Sequence, residues 1–501
     1  MAVKQFGKEW TRQHFFKSLL MFFLHFFLLI SIIAGLLFSQ ELSHLGGYLK
    51  EHAADYLYAF FCILLLTVIM YLYFLFENKT ILSSGKNITL IFAVLDLYFI
   101  LSYFIGGTND RVYARPVAFV ALMIYVLVGR RDAIFMNIVS ALLVFIVDTF
   151  AGTGAAKIYY SSLIISFSAG MLAIFFCSYA KTRFRVVLIG IFIVIPIDFI
   201  VFLLELSSLL DGWAAGGLAA MEVIVTRMGY GLFGGVMSTI LFLAVLPVYE
   251  VIFNCLTMFR LRELTSSDAK ILKKLKEEAP GTYNHSMMVA QLAEASAAAI
   301  GEDVDYARAA ALYHDVGKLH NPAHFTENQG EYNLHDELTP ELSADIIRSH
   351  AKYGYTLIKS HHLPEFLADI AMEHHGTMPI RYFYAKALKL SDAELNIEDF
   401  SYLGPKPRTK LAAIVMIADA SEAAVRAAKA HAPEAAEKVI RSVIEERMDL
   451  EQFAECDITM AELTKIRQAL VHALTGVNHH RIKYPNIKYK RSESGTKGEN
   501  V

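Results

Sequence analysis

The sequence predicts an all-α protein, in which a polytopic helical membrane domain is followed by a second, all-helical domain. Three observations predict this fold class. The 501 residues are 55% hydrophobic and 19% charged, with a mean hydropathy of +0.41, whereas soluble proteins are about a quarter charged. Residues 1–257 hold 16 Lys/Arg and 14 Asp/Glu, and the shorter remainder holds 30 and 35. The second half shows no sustained strand alternation.

The overall charge and the cysteines exclude several classes of protein. The net charge of −3 and the lack of a long basic run give no sign of a DNA or RNA polymer as partner. Three of the four cysteines lie in apolar stretches, and none is spaced from another for metal or redox chemistry. A disulfide framework and a thiolate zinc site are therefore not expected.

The membrane domain is predicted over 1–257 and contains about eight apolar segments of spanning length. The candidates are 15–38, 56–76, 88–106, 114–130, 132–151, 160–180, 185–209 and 229–257. The fourth is the weakest, because it is short and is closed by Arg130 and Arg131. The first is interpreted as a retained helix, since its apolar run is too long for a signal peptide and no cleavage site follows.

The distribution of Lys and Arg predicts the topology. With the N-terminus inside, 13 of these residues fall at inner ends and five at outer ends. An even number of spans then returns the second half to the cytoplasm. The outer loops are short, so no sizeable extracellular domain is expected.

Four acidic residues fall within the predicted spans, namely Asp96, Asp148, Asp198 and Glu205. Such residues either line an ion path or ligand sensor, or form polar pairs that fix helix packing. Both interpretations remain open. No span shows a Gly/Pro-broken pair in matching halves, so a transporter is not indicated.

A linker helix is predicted over 258–281, because residues 264–278 (LTSSDAKILKKLKEE) are polar with apolar residues at helical spacing. The second domain is predicted over 282–486 and a disordered polar tail over 487–501. Its expected helices cover 284–300, 304–319, 340–360, 364–375, 407–430, 434–448 and 460–477.

Four residues of this domain indicate a metal site. His314 and Asp315 are adjacent in YHDVGKLH, so both side chains can reach one ion, and imidazole suits first-row transition metals. His285 lies on the preceding helix. Asp419 lies in the apolar segment IVMIADAS, where a lone carboxylate is costly unless it is paired or metal-bound. These four residues alone would make a mononuclear site.

Three further histidines suggest a second ion. His374 and His375 point about 100° apart on a helix and can straddle two ions, and His350 lies between the two pairs in the chain. Two ions about 3.5–4 Å apart clamp the attacking and leaving oxygens of phosphoryl transfer. Lys318, one turn beyond His314, can place an ammonium on a substrate phosphate.

Two other features are weighed against this site. His335-Asp336 is a second His-Asp pair, but it lies in a polar loop and is interpreted as a cap of the helix near Pro340. The run Arg381–Tyr384 follows the His pair and contains three aromatic residues. It either stacks on a base or belongs to the core, and the sequence leaves this open.

These residues resemble the H…HD…D signature of the HD phosphohydrolase superfamily. The similarity extends further, to the seven-transmembrane HD hydrolases of the PgpH type. It is close over roughly 260–486 and looser over the hydrophobic helices. The motifs that carry it are APGTYNHSMMVAQLAEAS, YHDVGKL, FTENQ, NLHDELTPELSADIIRSHAKYG, EHHGT, YFYAKA, IADASEAAVRA, FAECDITMAELTKI and HHRIKYP.

The resemblance implies a cytoplasmic, all-helical HD domain at a bacterial inner membrane, with a dinuclear iron or manganese centre. It implies hydrolysis of the second messenger cyclic di-AMP to linear pApA. Asp315 and Lys318 are predicted as the catalytic residues, and Lys318 is also predicted to bind the substrate. The implied ligands are His285, His314, Asp315, His350, His374, His375 and Asp419, and Asp315 is expected to bridge. The sequence departs from the family in one respect. Members commonly have an extracellular domain after the first span, but here only about residues 39–55 separate the first two candidate spans, so this domain is not expected.

Other functions remain open at this point. The chain could cleave another cyclic dinucleotide, although cyclic di-GMP enzymes of the HD type carry a Gly-Tyr-Pro motif that is missing after EHHG. It could also act on a nucleotide, or be a catalytically silent membrane receptor that binds one. The intact ligand set argues against the silent receptor. The sequence leaves a homodimer open and does not identify the metal or the input signal.

Overall fold

A computed structural model describes residues 12–38, 52–106, 109–151, 156–180, 182–214, 218–330, 332–390, 394–430 and 432–476. These residues form helices, turns and loops, with one isolated bridge between Pro379 and Ser401 and no strand. The predicted all-α fold is confirmed. The predicted polar tail 487–501 and most of the loop between the first two spans lie outside the described residues. The chain divides into two compact units, Met1–Ala269 and Lys270–Val501.

The helices of the first unit are those of a multi-pass membrane protein. Seven of them, the first, second, fourth, sixth, seventh, eighth and ninth, are long and apolar enough to cross a membrane. In chain order the described α-helices are α1 (Arg12–Phe38), α2 (Ala53–Glu77), α3 (Lys79–Leu82), α4 (Gly85–Gly106), α5 (Phe119–Leu127), α6 (Arg130–Ala151), α7 (Ala156–Cys177), α8 (Arg183–Ala214), α9 (Leu218–Ile252) and α10 (Met258–Leu264).

The fourth predicted span, 114–130, is not a continuous membrane helix. It consists of the end of a 3-10 turn, Asn109–Ala114, followed by the nine-residue helix α5. Nine residues rise only about 14 Å, about half of a bilayer core. Every residue of α5 except Tyr125 is buried by neighbouring protein. The prediction of about eight spans is therefore corrected to seven long helices and one short buried segment.

This segment nevertheless runs the length of a neighbouring membrane helix. Arg115, 4% exposed, forms a two-pronged ion pair with Asp148 near the end of α6, at 2.5 and 2.9 Å. The chain then returns through α5 to Arg130, where α6 begins. Irregular backbone at membrane depth is tolerated only where protein covers it, and Tyr113 and Val117 are buried accordingly. For Asp148, the interpretation as a polar pair is confirmed.

The other acidic residues of the spans differ from Asp148. Asp96 is 8% exposed, and its Oδ1 is buried without a hydrogen bond among the described residues. Asp198 is half-buried against Gly231. The side chain of Glu205 lies outside the described part. For these three residues, the interpretations as an ion path or sensor and as a packing contact both stand.

The linker is broken rather than continuous. The predicted helix over 258–281 appears as α10 and α11 (Lys270–Glu278), with the turn 265–269 between them. Ser266 Oγ accepts a hydrogen bond from the Asp268 amide in that turn, which competes with helix propagation. The apolar residues of α11, such as Leu272 and Leu275, are buried as expected.

The second unit is a helical domain built around a buried central helix. Its helices after α11 are α12 (Pro280–Ile300), α13 (Val304–Tyr313), α14 (Pro340–Ser360), α15 (Glu365–Glu373), α16 (Arg381–Leu390), α17 (Lys410–Ala427), α18 (Pro433–Asp449) and α19 (Met460–Gly476). Helix α17 is buried along most of its length and packs against α12, α13, α15, α18 and α19. The sequence missed only α16 among these helices. The predicted cap by His335-Asp336 is wrong, because Thr339 Oγ1 accepts from Leu342 N at the start of α14.

The ion pair between Arg115 and Asp148 gives a test of the membrane unit. We expect Asp148→Ala to destabilise the protein by about 3–5 kcal/mol, because it leaves a buried guanidinium without its carboxylate. The double variant Arg115→Met/Asp148→Leu should recover most of this loss. Thermal unfolding of the full chain in detergent measures both.

The matched control is Arg131→Ala. Arg131 pairs with Glu77 in the same unit, but its side chain is 67% exposed, so we expect a change of at most about 1 kcal/mol. Equal stability of Asp148→Ala and Arg131→Ala would contradict the importance of the buried pair.

Candidate metal centre

The seven residues proposed as ligands converge on one place in the second unit. His285, His350 and Asp419 lie on α12, α14 and α17, and the two adjacent pairs lie in the turns that follow α13 and α15, so the predicted helix over 304–319 ends before His314. They form two groups in which every candidate ligand atom lies within 4.8 Å of the others. The first group is His285, His314 and Asp419, and the second is Asp315, His350, His374 and His375. Of the seven, only His375 is more than 8% exposed.

The first group joins α12, α13 and α17. His285 Nε2 lies 3.0 Å from Asp419 Oδ1, and His314 Nε2 lies 3.8 Å from the same oxygen. His314 Nε2 also lies 3.2 Å from Asp315 Oδ2. Two imidazole nitrogens and two carboxylate oxygens therefore face one point.

The second group is built on the other oxygen of Asp315. His350 Nε2 lies 3.3 Å and His374 Nε2 3.7 Å from Asp315 Oδ1, and the two nitrogens are 3.2 Å apart. His375 Nδ1 lies 3.8 Å from Asp419 Oδ2. Asp315 thus directs one oxygen to each group, which is the arrangement of a bridging carboxylate.

Hydrogen bonds fix the orientation of four imidazoles. The Nδ1 atoms of His314, His350 and His374 lie 2.6, 2.6 and 2.9 Å from the carbonyl oxygen three residues earlier. A carbonyl can only accept, so each Nδ1 carries a proton, and Nε2 is the ring atom that each side chain turns toward the cluster. His285 Nδ1 donates in the same way to Glu422 Oε2 at 2.8 Å. Metal-binding histidines are oriented by such outer contacts.

The donor set fits transition-metal ions. It contains five imidazoles and two carboxylates, a combination that suits iron, manganese or zinc better than magnesium or calcium. His314 Nε2 and Asp315 Oδ1 are buried and make no hydrogen bond with the described residues. Such atoms are costly in a protein interior unless an ion or a water satisfies them.

The cluster is strongly coupled electrostatically. Burial alone would raise the pKa of Asp315, but His314 and Lys318 beside it hold that pKa well below its usual range. Burial would lower the pKa of His285, but the carboxylates of Asp419 and Glu422 raise it to about 9. For His374, burial and the neighbouring imidazoles lower the pKa to about 3. Burial would also raise the pKa of Asp419, but the imidazoles of His285 and His314 hold that pKa well below its usual range, so both aspartates are anionic.

A close backbone approach at Gly317 brings the second histidine group to the His-Asp pair. The 3-10 turn Val316–His320 crosses α14, and a Cβ at Gly317 would lie 1.9 Å from His350 O and 2.5 Å from Gly354 N. Only glycine permits this crossing. The glycine of YHDVGKLH therefore places His350 next to Asp315.

A second glycine shapes the turn after the adjacent histidines. Gly376 has φ +54°, a conformation that L side chains rarely adopt. Gln452 Oε1 accepts from Thr377 N at 2.9 Å and secures this turn. The ring of Tyr402 stacks on His375 with ring centroids 4.2 Å apart, so His375 is held between the turn and an aromatic ring.

Lys318 lies at the edge of the cluster. Its Nζ is 2.7 Å from Asp315 Oδ2 and 2.7 Å from Glu327 Oε1. Thr282 donates to the same Glu327 oxygen at 3.1 Å, and Asn328 Oδ1 accepts from Thr282 N. The FTENQ segment thus fastens Lys318 to the start of α12.

The cluster lies in a cavity of about 860 Å³. His324 and His335 also line it, and His335 Nε2 donates to His324 O at 2.8 Å. Within the aromatic run, Tyr382 and Phe383 both line the cavity. Phe383 is 6% exposed and also belongs to a small core, whereas Tyr382 is 66% exposed.

Sequence reasoning missed three residues that touch the proposed ligands or Lys318, namely Glu422, Glu327 and Tyr402. Glu422 follows Asp419 by three residues, so helical spacing places both on one face, and this signal was available. Glu327 lies in the motif FTENQ, which carries the family resemblance but gave no indication of what Glu327 contacts. Tyr402 lies in a loop, and no sequence pattern ties it to His375.

A bundle of membrane helices and an all-helical domain with a convergent His/Asp cluster define a membrane-bound HD-domain protein. Comparison with known families agrees with this class. Residues 282–424 match the HD domain, and residues 53–257 match the 7TM receptor with intracellular HD hydrolase. The chain belongs to the seven-transmembrane HD hydrolase family.

Two curated proteins are similar to this chain in sequence. The cyclic-di-AMP phosphodiesterase PgpH of Bacillus subtilis is 36% identical over 83% of this chain and 57% of its own length. The protein of the same name from Listeria monocytogenes is 45% identical over 52% of this chain and 36% of its own length. The chain therefore spans only about a third to a little over half of these relatives.

A solved structure is also similar. The HD domain of L. monocytogenes phosphodiesterase PgpH in complex with cyclic-di-AMP is 47% identical, with a TM-score of 0.41, over 43% of this chain and 99% of that chain.

We expect Gly317→Ala to lose bound metal and stability, because the new Cβ forces the His-Asp turn away from α14. Gly330→Ala is the matched control, since a Cβ there meets nothing within 4 Å. Metal analysis and thermal unfolding of the two purified variants measure the effect. Wild-type metal content in Gly317→Ala would contradict the role of this crossing.

We expect Glu422→Ala to weaken metal affinity about 10- to 100-fold, because His285 loses the acceptor that fixes its tautomer. Competition with a chelator measures this affinity. Glu437→Ala on α18 is the control, since Glu437 is half exposed and pairs only with surface arginines. An unchanged affinity in Glu422→Ala would show that the contact does not orient His285.

Proposed function

We propose that this protein is a membrane-anchored phosphodiesterase that hydrolyses cyclic di-AMP to linear pApA and so lowers the level of this second messenger. The observation that carries the proposal is the division of the Asp315 oxygens between two groups of histidines at a cavity of nucleotide size. The names of the two curated relatives support the choice of substrate.

The seven residues would hold two divalent ions, iron or manganese, with Asp315 between them. Such a pair, when bound, polarises a phosphodiester and activates water for attack on it. His285, His314 and Asp419 would hold one ion, and His350, His374 and His375 the other. The orientation of four imidazoles by Nδ1 contacts favours this, because it turns their Nε2 atoms toward the cluster, where they can bind an ion.

Lys318 is proposed to bind the substrate phosphate. An ammonium has three N–H donors, and two of them face Asp315 and Glu327. The third is available to an oxygen in the cavity, which Lys318 lines. Since its two carboxylate contacts fix its position, Lys318 would offset phosphate charge without a large rearrangement. Burial opposes its charge, but the two carboxylates raise its pKa, so it remains an ammonium.

We infer that the second domain lies in the cytoplasm. Within the membrane unit, Glu77 at the end of α2 pairs with Arg131 at the start of α6, and Asn78 bonds Asp132. Glu250 at the end of α9 pairs with Arg183 at the start of α8. These ends carry most of the Lys and Arg, which favours the cytoplasmic side.

The alternatives differ in what the site would do. A phosphodiesterase for another cyclic dinucleotide would use the same metal cluster and differ only in how the bases are bound. A silent receptor would not require seven convergent ligand atoms with fixed tautomers. The geometry of the cluster therefore favours an enzyme.

The proposal predicts that the purified full chain, loaded with manganese or with iron under anaerobic conditions, converts cyclic di-AMP to pApA. Asp315→Ala should abolish turnover, because one substitution removes a ligand from both groups. Chelation should abolish it in the wild type, and added metal should restore it. Chromatography of the products, with cyclic di-GMP in parallel, is the measurement.

The other outcomes discriminate among the alternatives. Turnover of cyclic di-GMP alone would show that the protein is a phosphodiesterase but that its substrate is not cyclic di-AMP. Absence of both turnover and bound metal would favour the silent receptor. Near-normal turnover in Asp315→Ala would exclude the dinuclear assignment.

A further inference from the structure

We propose that Tyr382 and the adjoining face of α17 form a stacking site for one purine base of the substrate. This inference rests on the proposed function and adds a binding role for a residue outside the metal cluster. Tyr382 and this face of α17 line the same cavity as the metal cluster.

Tyr382 is an exposed aromatic ring on a well-anchored helix. Its side chain is 66% exposed although it lines the cavity, while the next residue, Phe383, is 6% exposed and packs with Ala387 and Phe400. Arg381 pairs with Glu446 at 2.7 Å and fastens the first turn of α16 to α18. The ring of Tyr382 is therefore held at the rim by its neighbours.

Small side chains of α17 form another part of the cavity wall. Ala420, Ala423 and Ala424 line the cavity directly after Asp419. Ala423 lies one turn beyond Asp419, about 6 Å along the helix axis. Methyl groups at these positions occupy little of the cavity and leave space for a planar ring near the metal cluster.

The chemistry of the two surfaces matches a nucleobase. Every base has a π face that stacks on an aromatic side chain with little dependence on its identity. Tyr402, the other tyrosine in the cavity, already stacks on His375. Among the described tyrosines lining the cavity, Tyr382 is the one whose ring remains open to a ligand. It would increase affinity without selecting adenine over guanine.

The test compares kinetic constants of the metal-loaded full chain with cyclic di-AMP. Tyr382→Ala should raise KM about 5- to 150-fold, the loss that corresponds to one stacked base, and change kcat less than about threefold. Tyr382→Phe should restore KM, because stacking needs the ring and not the hydroxyl. The control is Leu390→Ala, which removes a side chain that is 71% exposed on the same helix away from the cavity.

The kinetic constants of the Tyr382 variants distinguish failure of the stacking site from failure of the proposed function. A wild-type KM in Tyr382→Ala would overturn the stacking site and leave the proposed function intact. A KM in Tyr382→Phe as high as in Tyr382→Ala, or a loss of bound metal in either, would also overturn it, because the tyrosine would then act through its hydroxyl or through the fold. Lack of wild-type turnover would overturn the proposed function and the stacking site together.

Discussion

The metal centre depends on how closely two stretches of backbone approach each other at Gly317. The turn after His314-Asp315 crosses α14 so tightly that a Cβ at Gly317 would meet the backbone at His350 and Gly354. This crossing lets the two oxygens of Asp315 face different groups of histidines. A larger separation would move His350 away from Asp315 Oδ1, and the two groups of side chains would no longer share this carboxylate.

Much of this site could be predicted because its chemistry is local in sequence. His314-Asp315, His374-His375 and the buried Asp419 are unusual residues for their segments, and the structure brings all seven proposed ligands together. Their support was harder to find. Glu422 could be predicted from its helical spacing to Asp419. Glu327 and Tyr402 act through contacts between segments, and a surface carboxylate or a loop tyrosine has the same appearance in sequence whether or not it makes such a contact.

The fold was predictable in class and less so in its breaks. Helix α16 is not among the predicted helices, because its aromatic residues were interpreted as a possible base-stacking run. Phe383 and Ala387 lie four residues apart, which is helical spacing. The linker is predicted as one helix because its apolar residues keep helical spacing, whereas Ser266 and Asp268 form the turn that interrupts it. Residues 114–130 were predicted as a span because hydropathy does not distinguish lipid from surrounding protein as the partner of an apolar segment.

The buried crossing through α5 has a consequence for how the membrane unit is made. A nine-residue helix preceded by irregular backbone has too little apolar length to enter lipid by itself, and its unpaired peptide groups need protein around them. It can therefore take its place only with its neighbours, when α6 supplies Asp148 for Arg115 and α9 supplies Ser238 for the Ala118 amide. Since α9 comes last of these helices in the chain, the contact with Ser238 can form only after α9 has been synthesised, and the buried segment completes its contacts late in the assembly of this unit.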